Sequence, residues 1–415
     1  MNLHRNPPAA MSATVHKFDL AGQTFKRDPF PTFAAMQAVG PMVDVKAPII
    51  GRATFATTHA ACETLLKSSD KFSVRFDNAA GNSPMLVLAR WLPGIKQLTE
   101  NLLQMDDPEH RRLRKLVDGA FRRSEIEAWR PRIERIADEL IDNLAASSDR
   151  DLVKHVARDL PLAVICELLG LPQEDRPKFT RWMSALSEVS ALSGMVRLIP
   201  SVRKLNAYLT RKFEERRAEP RDDLISTLVH AEDEGARMTD RELLSMCFLL
   251  FVAGHETTTH LISGGVLALI HNPDQLSRLR AEPNLGASAV DELLRHVSPV
   301  QGTKPRFPLE DTEIEGVPVK KGQMLMALLA SANADPAVFE NPENLDIARA
   351  KNRQLSFGGG AHFCLGAWLA RAEMEILLAR LLDRAPRLGL AIPEAGLRWT
   401  PRLGIRALKA LPLKM

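Results

Sequence analysis

The chain is poor in aromatic residues, at 5% of 415 positions with one tyrosine, Tyr208. Proteins that stack nucleobases on rings need more than this, so nucleic acid is not an expected partner. Cysteine is scarce as well. Cys62, Cys166, Cys247 and Cys364 stand far apart with no CxxC pair, which excludes a zinc knuckle or a secreted disulfide scaffold and leaves the cytoplasm as the expected compartment. A membrane anchor is not expected. The long apolar stretch Leu243 to Gly254 is interrupted by His255-Glu256 and falls short of the ~20 residues a spanning helix needs. Residues 1–20 hold charges and two prolines but no leader-like apolar core, so they read as a disordered N-terminal segment ahead of one domain over 21–415. Charge of one sign is also lacking: 55 basic against 51 acidic residues give a net +4. That fits a local basic patch better than a surface built to bind a polyanion.

What is present is an ordinary globular composition, 45% hydrophobic and 26% charged. Residues 41–59 alternate apolar and polar positions around Gly51, which predicts a strand pair. From about Pro108 to Ile270 apolar residues recur three and four apart, as in Ile133-Ala137-Leu140 and Leu160-Val164-Leu168, a helical pattern. Asp223-Leu224-Ile225 opens one such helix. Residues 240–270 predict a long helix apolar on nearly every side, which belongs at the centre of a large domain. Asp291 to His296 is a further helical piece, ended by Ser298-Pro299. Residues 304–330 switch to period two, with turns at Glu315-Gly316 and Lys321-Gly322, and predict a small antiparallel sheet. A last helix covers Ala367 to Arg384, and the tail from Leu388 to Leu413 reads as short strands. The fold class is mainly α with a small β region.

The segment Phe357-Gly358-Gly359-Gly360-Ala361-His362-Phe363-Cys364-Leu365-Gly366 places four glycines within ten residues. Glycine permits tight turns and close backbone approach. Cys364 lies just before a helix start, where the dipole and free amides favour a thiolate. Such a thiolate suits a single axial metal ligand. The same residues also fit a buried structural cysteine, or a nucleophile with His362 as its base. Cys62, Cys166 and Cys247 lie in apolar helical contexts and read as core.

Phe357 to Arg371 resembles the heme-ligand signature of the cytochrome P450 superfamily, FGxGxHxCxGxxLAR, at every fixed position. The resemblance extends over roughly Pro29 to Leu411. It implies the cytochrome P450 fold, a single triangular domain, and heme b (iron protoporphyrin IX) as cofactor. Cys364 would be the axial thiolate ligand of the iron, and His362 would hydrogen-bond a heme propionate.

Three further constellations follow in order. Ala253-Gly254-His255-Glu256-Thr257-Thr258 sets an acid beside a hydroxyl in an apolar helix, a costly burial unless both groups are bonded. Threonine can bend a helix by bonding its own backbone, and Gly254 admits close approach. The cluster is either satisfied by its own helix or forms a notch that holds water and moves protons. It resembles the family's Ala/Gly-Gly-x-x-Thr pattern, which implies Thr257 as the alcohol beside bound dioxygen and Glu256 as the relay acid. His255 and His260 lie within about one turn of Thr257 and read as structural.

Glu292-Leu293-Leu294-Arg295 puts acid and base on one helix face. On its own this is an ordinary ion pair; in its place it resembles the family's ExxR motif, implying a buried structural network completed by Arg349. His110 and Arg114 share a face and suit an anion or a solvated basic surface. The stretch Asp106-Asp107-Pro108-Glu109-His110 resembles the start of the family's propionate-binding helix, and Arg306 resembles its other propionate arginine. One departure is Ala332-Asn333-Ala334-Asp335-Pro336, where relatives often carry arginine before Asp-Pro.

The chain has no GxGxxG after a strand and no four-cysteine cluster, so electrons are expected from a separate ferredoxin or flavodoxin served by an NAD(P)H-dependent reductase. Residues 109–135 hold nine Lys/Arg against five Asp/Glu, and Arg111, Arg112, Lys115, Arg122 and Arg123 are the candidate docking patch. The substrate wall is assigned to Met85, Leu86 and Trp91, to Ala191–Ile199 between two helices, to Leu250 and Ala253, and to Val300 and Gln301. These are mostly apolar, so an apolar small molecule such as a terpenoid, steroid, fatty acid or polyketide is expected. Arg75 and Arg197 are the candidates for a substrate carboxylate. The expected activity is oxidation of that molecule with dioxygen; the alternatives are a peroxide-driven peroxygenase and a non-catalytic heme-thiolate sensor or carrier.

Overall fold

The computed structural model describes residues 15–47, 51–80, 101–187, 192–233 and 235–415. Its longer helices are α1 (Phe30–Val39), α2 (His59–Lys67), α3 (Glu109–Asp118), α4 (Arg123–Ala146), α5 (Asp159–Leu168), α6 (Arg176–Ser187), α7 (Leu192–Ala218), α8 (Asp240–His271), α9 (Pro273–Ala281), α10 (Gly286–Val297) and α11 (Ala367–Arg384). Strands β1 (Met42–Ala47), β2 (Gly51–Ala56), β3 (Phe72–Ser73), β4 (Phe307–Pro308), β5 (Thr312–Ile314), β6 (Val317–Val319), β7 (Leu325–Ala327), β8 (Gly389–Leu390) and β9 (Leu413–Lys414) are short. Within the N-terminal segment, His16 already bonds β1, donating its amide to Asp44 O at 2.9 Å, and Leu20 is buried.

Helix α8 is the axis of the molecule. Thr239 caps it, accepting from the Glu242 amide while Glu242 accepts from the Thr239 amide, a reciprocal pairing that satisfies two free helix amides. Its C-terminal half is buried on all sides because Gly264 and Gly265 let neighbours touch its backbone. A Cβ on Gly264 would lie 2.5 Å from Val297 of α10, and one on Gly265 2.5 Å from Met374 of α11. Helix α4 packs along α11 through Ile133, Ile136, Ala137 and Leu140, the positions its sequence period selects.

Strands β1 and β2 pair antiparallel in the register Met42 to Ala56. The expectation for residues 304–330 needs correction. Strands β5 and β6 pair with each other, around Glu315 and Gly316 with φ of 49° and 74°, the left-handed pair a two-residue hairpin demands, and Arg306 and Leu325 form a single antiparallel bridge with hydrogen bonds of 2.8 and 2.9 Å. Strand β4 instead pairs with β3, and β7 joins β2 in parallel. Alternation fixes which face a residue takes but not which strand it pairs with. The stretch assigned between two helices is also corrected: α7 begins at Leu192. Gly194 and Pro200 lie inside it. The tail forms the β8–β9 pair.

Candidate active site

The cysteine loop is shaped by its glycines and pinned at its entrance. Gly358 and Gly360 have φ of 70° and 65°, and a Cβ on Gly360 would lie 2.3 Å from Leu66 O at the end of α2. Asn333 accepts from the Leu355 amide at 2.7 Å and donates to Ser356 at 2.8 Å, while Ser356 donates to Leu294 O of α10 at 2.7 Å. The Cys364 amide donates to Phe357 O at 2.9 Å, and Gly366 caps α11. Arg371 bonds Asp291 of α10 and lies over the Phe357 ring. The site cysteine is half-buried, the other three fully. Burial pushes the Cys364 thiol up and outweighs the opposing Gly366 amide and the charges of Arg114 and Arg371. The helix start by itself therefore does not make Cys364 a thiolate; a metal cation replacing the proton would. Burial also raises Cys166 and Cys247, each to about 12, which suits inert core thiols.

Beside this loop is a surplus of positive charge. The His110 and His362 rings lie 4.3 Å apart. His110 Nδ1 is 3.6 Å from Asp107, and its Nε2 is buried with no partner among the described residues. Arg114 donates to Phe363 O at 2.8 Å and to Asp118 at 2.6 Å. Arg306 is 4% exposed, and its guanidinium has no hydrogen bond or ion pair among the described residues. The nearby carboxylate, Asp106, is already taken by Ser73, Asn78 and the Val74 amide. Burial, followed by the charges of His110 and Arg306, pushes His362 down to about 4. Buried cations without counter-ions are costly. The donor set thus fits a buried group bearing carboxylates next to a metal at Cys364, as the iron porphyrin does.

On α8, Ala253 is exposed although most of its helix is buried, and a Cβ on Gly254 meets nothing within 4 Å. This face borders open space. Thr257 donates to Ala253 O at 2.6 Å, Thr259 to His255 O at 2.8 Å and Ser263 to Thr259 O at 2.9 Å. Glu256 makes no hydrogen bond with Thr257; it is paired with Arg402, with His260 Nε2 at 3.9 Å. Burial raises the Glu256 carboxyl, but the adjoining His260 and the charge of Arg402 hold it below its usual range. Burial pushes His255 down to about 4, so it is neutral at pH 7.

Glu292, Arg295 and Arg349 are brought together. Glu292 accepts from Arg295 at 2.7 and 2.8 Å, from Arg349 at 3.1 Å, from Asn352 at 3.0 Å and from the Asp346 amide at 3.0 Å. Arg295 donates also to the carbonyls of Asn333, Pro342 and Asn344.

The wall residues are scattered. Met85, Leu86 and Trp91 lie outside the described residues, as do the side chains of Ala191–Ile199, Arg197 among them. Leu250 is buried. Val300 bridges Ile405, and Gln301 turns its carbonyl to the Lys26 ammonium at 2.5 Å. Arg75 is exposed. Of the basic patch, Arg111, Arg112 and Lys115 are paired with Asp107, Glu242 and Asp233. Arg122 and Arg123 are exposed, and Arg123 lies over Trp368, four residues past Cys364. Sequence reading gave Asp106 no role beyond its place in the Asp106–His110 stretch, and it missed Asn352 and Arg402, which act through distant partners and carry no local pattern.

Comparison with known proteins supplies the family. Residues 40–384 match the family model described as Cytochrome P450. The polyketide biosynthesis cytochrome P450 PksS of Bacillus subtilis (strain 168) is 37% identical over 398 residues, covering 95% of this chain and 97% of that protein. Its solved structure superposes with a TM-score of 0.87 at 36% identity, covering 96% of this chain and 99% of the other. The cytochrome P450 monooxygenase PikC of Streptomyces venezuelae is 38% identical, covering 95% of this chain and 92% of that protein. The vitamin D(3) 25-hydroxylase of Pseudonocardia autotrophica is 37% identical, covering 98% of both. No helix among the described residues is long and apolar enough to cross a membrane. The fold, the cysteine loop and these relatives together place the chain in the cytochrome P450 family, as a heme b monooxygenase that oxidises an apolar small molecule.

Proposed function

We propose that Cys364 is the axial ligand of the heme iron and that His110, Arg114, Arg306 and His362 hold the propionates. The observation that carries this reading is the buried, uncompensated charge of Arg306 beside the unpartnered His110 Nε2. Thiolate-bound heme activates dioxygen with two external electrons and transfers one oxygen atom to a C–H bond. Thr257 and Glu256 hold water against the exposed face of α8 and pass protons toward the oxygen site. Glu292, Arg295 and Arg349 keep the cysteine loop in register with α10.

Electrons come from a redox partner, and an acidic ferredoxin or flavodoxin with an NAD(P)H-dependent reductase suits the exposed Arg122 and Arg123 beside Trp368. The compartment is the cytoplasm. The substrate is a large apolar molecule of polyketide or sterol-like type, lying against Leu250, Ala253 and Val300. The names of two relatives, one in polyketide biosynthesis and one a vitamin D(3) hydroxylase, support that class.

An absorption spectrum of the purified protein, reduced and treated with carbon monoxide, tests the ligand. The wild type should show a strongly red-shifted Soret band, and Cys364→His an ordinary heme band at unchanged heme content. A red-shifted band in Cys364→His would remove Cys364 from the ligand role. Product formation that needs reductant and dioxygen, and not peroxide, separates the monooxygenase from a peroxygenase.

A further inference from the structure

We infer that the cleft where the end of α8 meets the N-terminal and C-terminal segments is a second binding site, one that takes a small aryl carboxylate.

The cleft has a volume of about 270 Å³, under the ~300 Å³ at which pockets for drug-sized ligands begin. It fits a molecule of one ring rather than a polyketide or sterol. It also stands apart from the oxidation site. Its wall on α8 runs from Gly264 to His271, and His271 lies fourteen residues past Thr257, ~21 Å along the helix axis.

The lining is sorted by depth. Leu267, Ala268, Leu397 and Trp399 are buried and form an apolar wall, joined by the half-buried Phe30. The carboxylates of the lining, Asp28, Glu343 and Glu394, belong to exposed residues at the rim, where water and salt screen them. Two of them are already engaged: Asp28 accepts from the Phe30 amide at 3.2 Å, and Glu394 lies 3.7 Å from His271 Nε2.

Inside the rim two polar side chains are left over. Arg406 donates Nε to Lys26 O at 2.8 Å and Nη2 to Arg27 O at 2.9 Å; its Nη1 has no hydrogen bond, and the guanidinium no ion pair, among the described residues. The guanidinium lies 4.9 Å from the centre of the Trp399 ring. The His296 ring lies 5.2 Å from that of Phe30, and its Nδ1 is buried with no partner among the described residues. Burial first, and then the charges of Arg295, Arg406, Arg349 and His271, push His296 down to about 3. The ring is therefore neutral at pH 7 and keeps one N–H to donate. All four of those neighbouring groups are cationic or become so on protonation, so the potential at the ring is positive.

A buried donor and a guanidinium nitrogen that lack an acceptor favour an anion. Two donors match the two oxygens of one carboxylate; a phosphate would leave oxygens unbonded. Phe30 and Trp399 give the body of the ligand two aromatic surfaces to pack on, which selects an aryl group.

The test uses the full-length holoprotein with its heme site closed by saturating 4-phenylimidazole, an iron ligand. Phenylacetate and its neutral isostere phenylacetamide are titrated by calorimetry, and the Soret band is followed in parallel. One phenylacetate should bind per chain with the Soret band unmoved, and phenylacetamide should bind at least about tenfold more weakly. His296→Leu loses no hydrogen bond to the described residues, so its urea midpoint should match the wild type, while its Kd for phenylacetate rises roughly tenfold. Ala268→Leu places bulk in the cleft instead of removing a donor, and should abolish binding. No binding of phenylacetate by the wild type would overturn the inference. Equal affinity for phenylacetamide would overturn it too, leaving a cleft that selects no anion. Wild-type affinity in both variants, or phenylacetate that binds only when 4-phenylimidazole is absent, would place the ligand elsewhere and overturn it as well.

Discussion

Glu292 and Arg295, one turn apart on α10 and both with no exposed side-chain surface, meet through two hydrogen bonds of 2.7 and 2.8 Å. The remaining lone pairs of the carboxylate take Arg349, Asn352 and a backbone amide. The remaining arginine protons take three carbonyls from the segment that leads to the cysteine loop. Glu292 and Arg295 themselves are fully bonded, only the Asn352 side-chain oxygen being left without a partner among the described residues, so deleting either one strands a buried charge rather than removing a weak contact. Arg295→Met and Glu292→Gln should each cost ~3–5 kcal/mol of stability. Urea midpoints measure the loss, and heme content after expression should fall with it. A loss under ~1 kcal/mol would mean that water reaches the pair.

Arg306 carries a different kind of prediction, because its side chain has no hydrogen-bond or ion-pair partner to lose among the described residues. Arg306→Leu should leave the apoprotein as stable as the wild type or more so, since a buried uncompensated cation disappears. Heme retention should suffer. Losing a charge-assisted hydrogen bond of ~1.5–3 kcal/mol corresponds to roughly 10–100-fold faster heme loss. Transfer of heme to apomyoglobin measures that rate. An unchanged rate would assign the propionates to other residues.

How far the sequence reached depends on the kind of interaction. The cysteine loop was legible because glycine at Gly358 and Gly360 answers a local demand, a positive φ and a backbone contact. The central helix was legible because its burial is written along its whole length. Helix α7 was not legible at its start: Ala191–Ile199 read as a stretch between two helices, whereas the helix begins at Leu192. The partner of β7 was not legible, since Leu325 to Ala327 carries no mark of β2, some 270 residues earlier. Arg402 was invisible for the same reason. One arginine in a tail of basic residues becomes informative only when the fold lays it against Glu256.

Thr257→Ala separates function from packing with little ambiguity. Among the described residues the hydroxyl bonds only its own helix, at Ala253 O, and alanine is the better helix former by a few tenths of a kcal/mol. Stability should therefore be unchanged or slightly higher. Product recovered per NADPH should fall, because the proton path loses its alcohol, and peroxide should accumulate in its place. Thr257→Ser should recover most of the coupling. Equal coupling in all three proteins would reduce Thr257 to a helix residue.

Lys26 sets a pH dependence that its surroundings make calculable in sign. The side chain is fully buried, donates to Gln301 and to Ile405 O, and makes no ion pair with a carboxylate among the described residues. Burial first, and the charge of Arg406 second, push it down to about 7, against ~10.4 in an unfolded chain. Below about pH 7 both states hold the proton and the cost of the buried cation is fully present. As pH rises from about 7 toward ~10.4, the unfolded chain binds a proton that the native chain does not, so stability increases by up to ~1.4 kcal/mol per pH unit. Lys26→Met removes that slope, along with two hydrogen bonds. Urea midpoints of the two proteins from about pH 6 to about pH 10 should run parallel at the acid end and diverge in favour of the wild type above neutrality. Curves that stay parallel throughout would mean that Lys26 keeps its proton in the native state, and that Gln301 and the Ile405 carbonyl solvate it well enough to replace water.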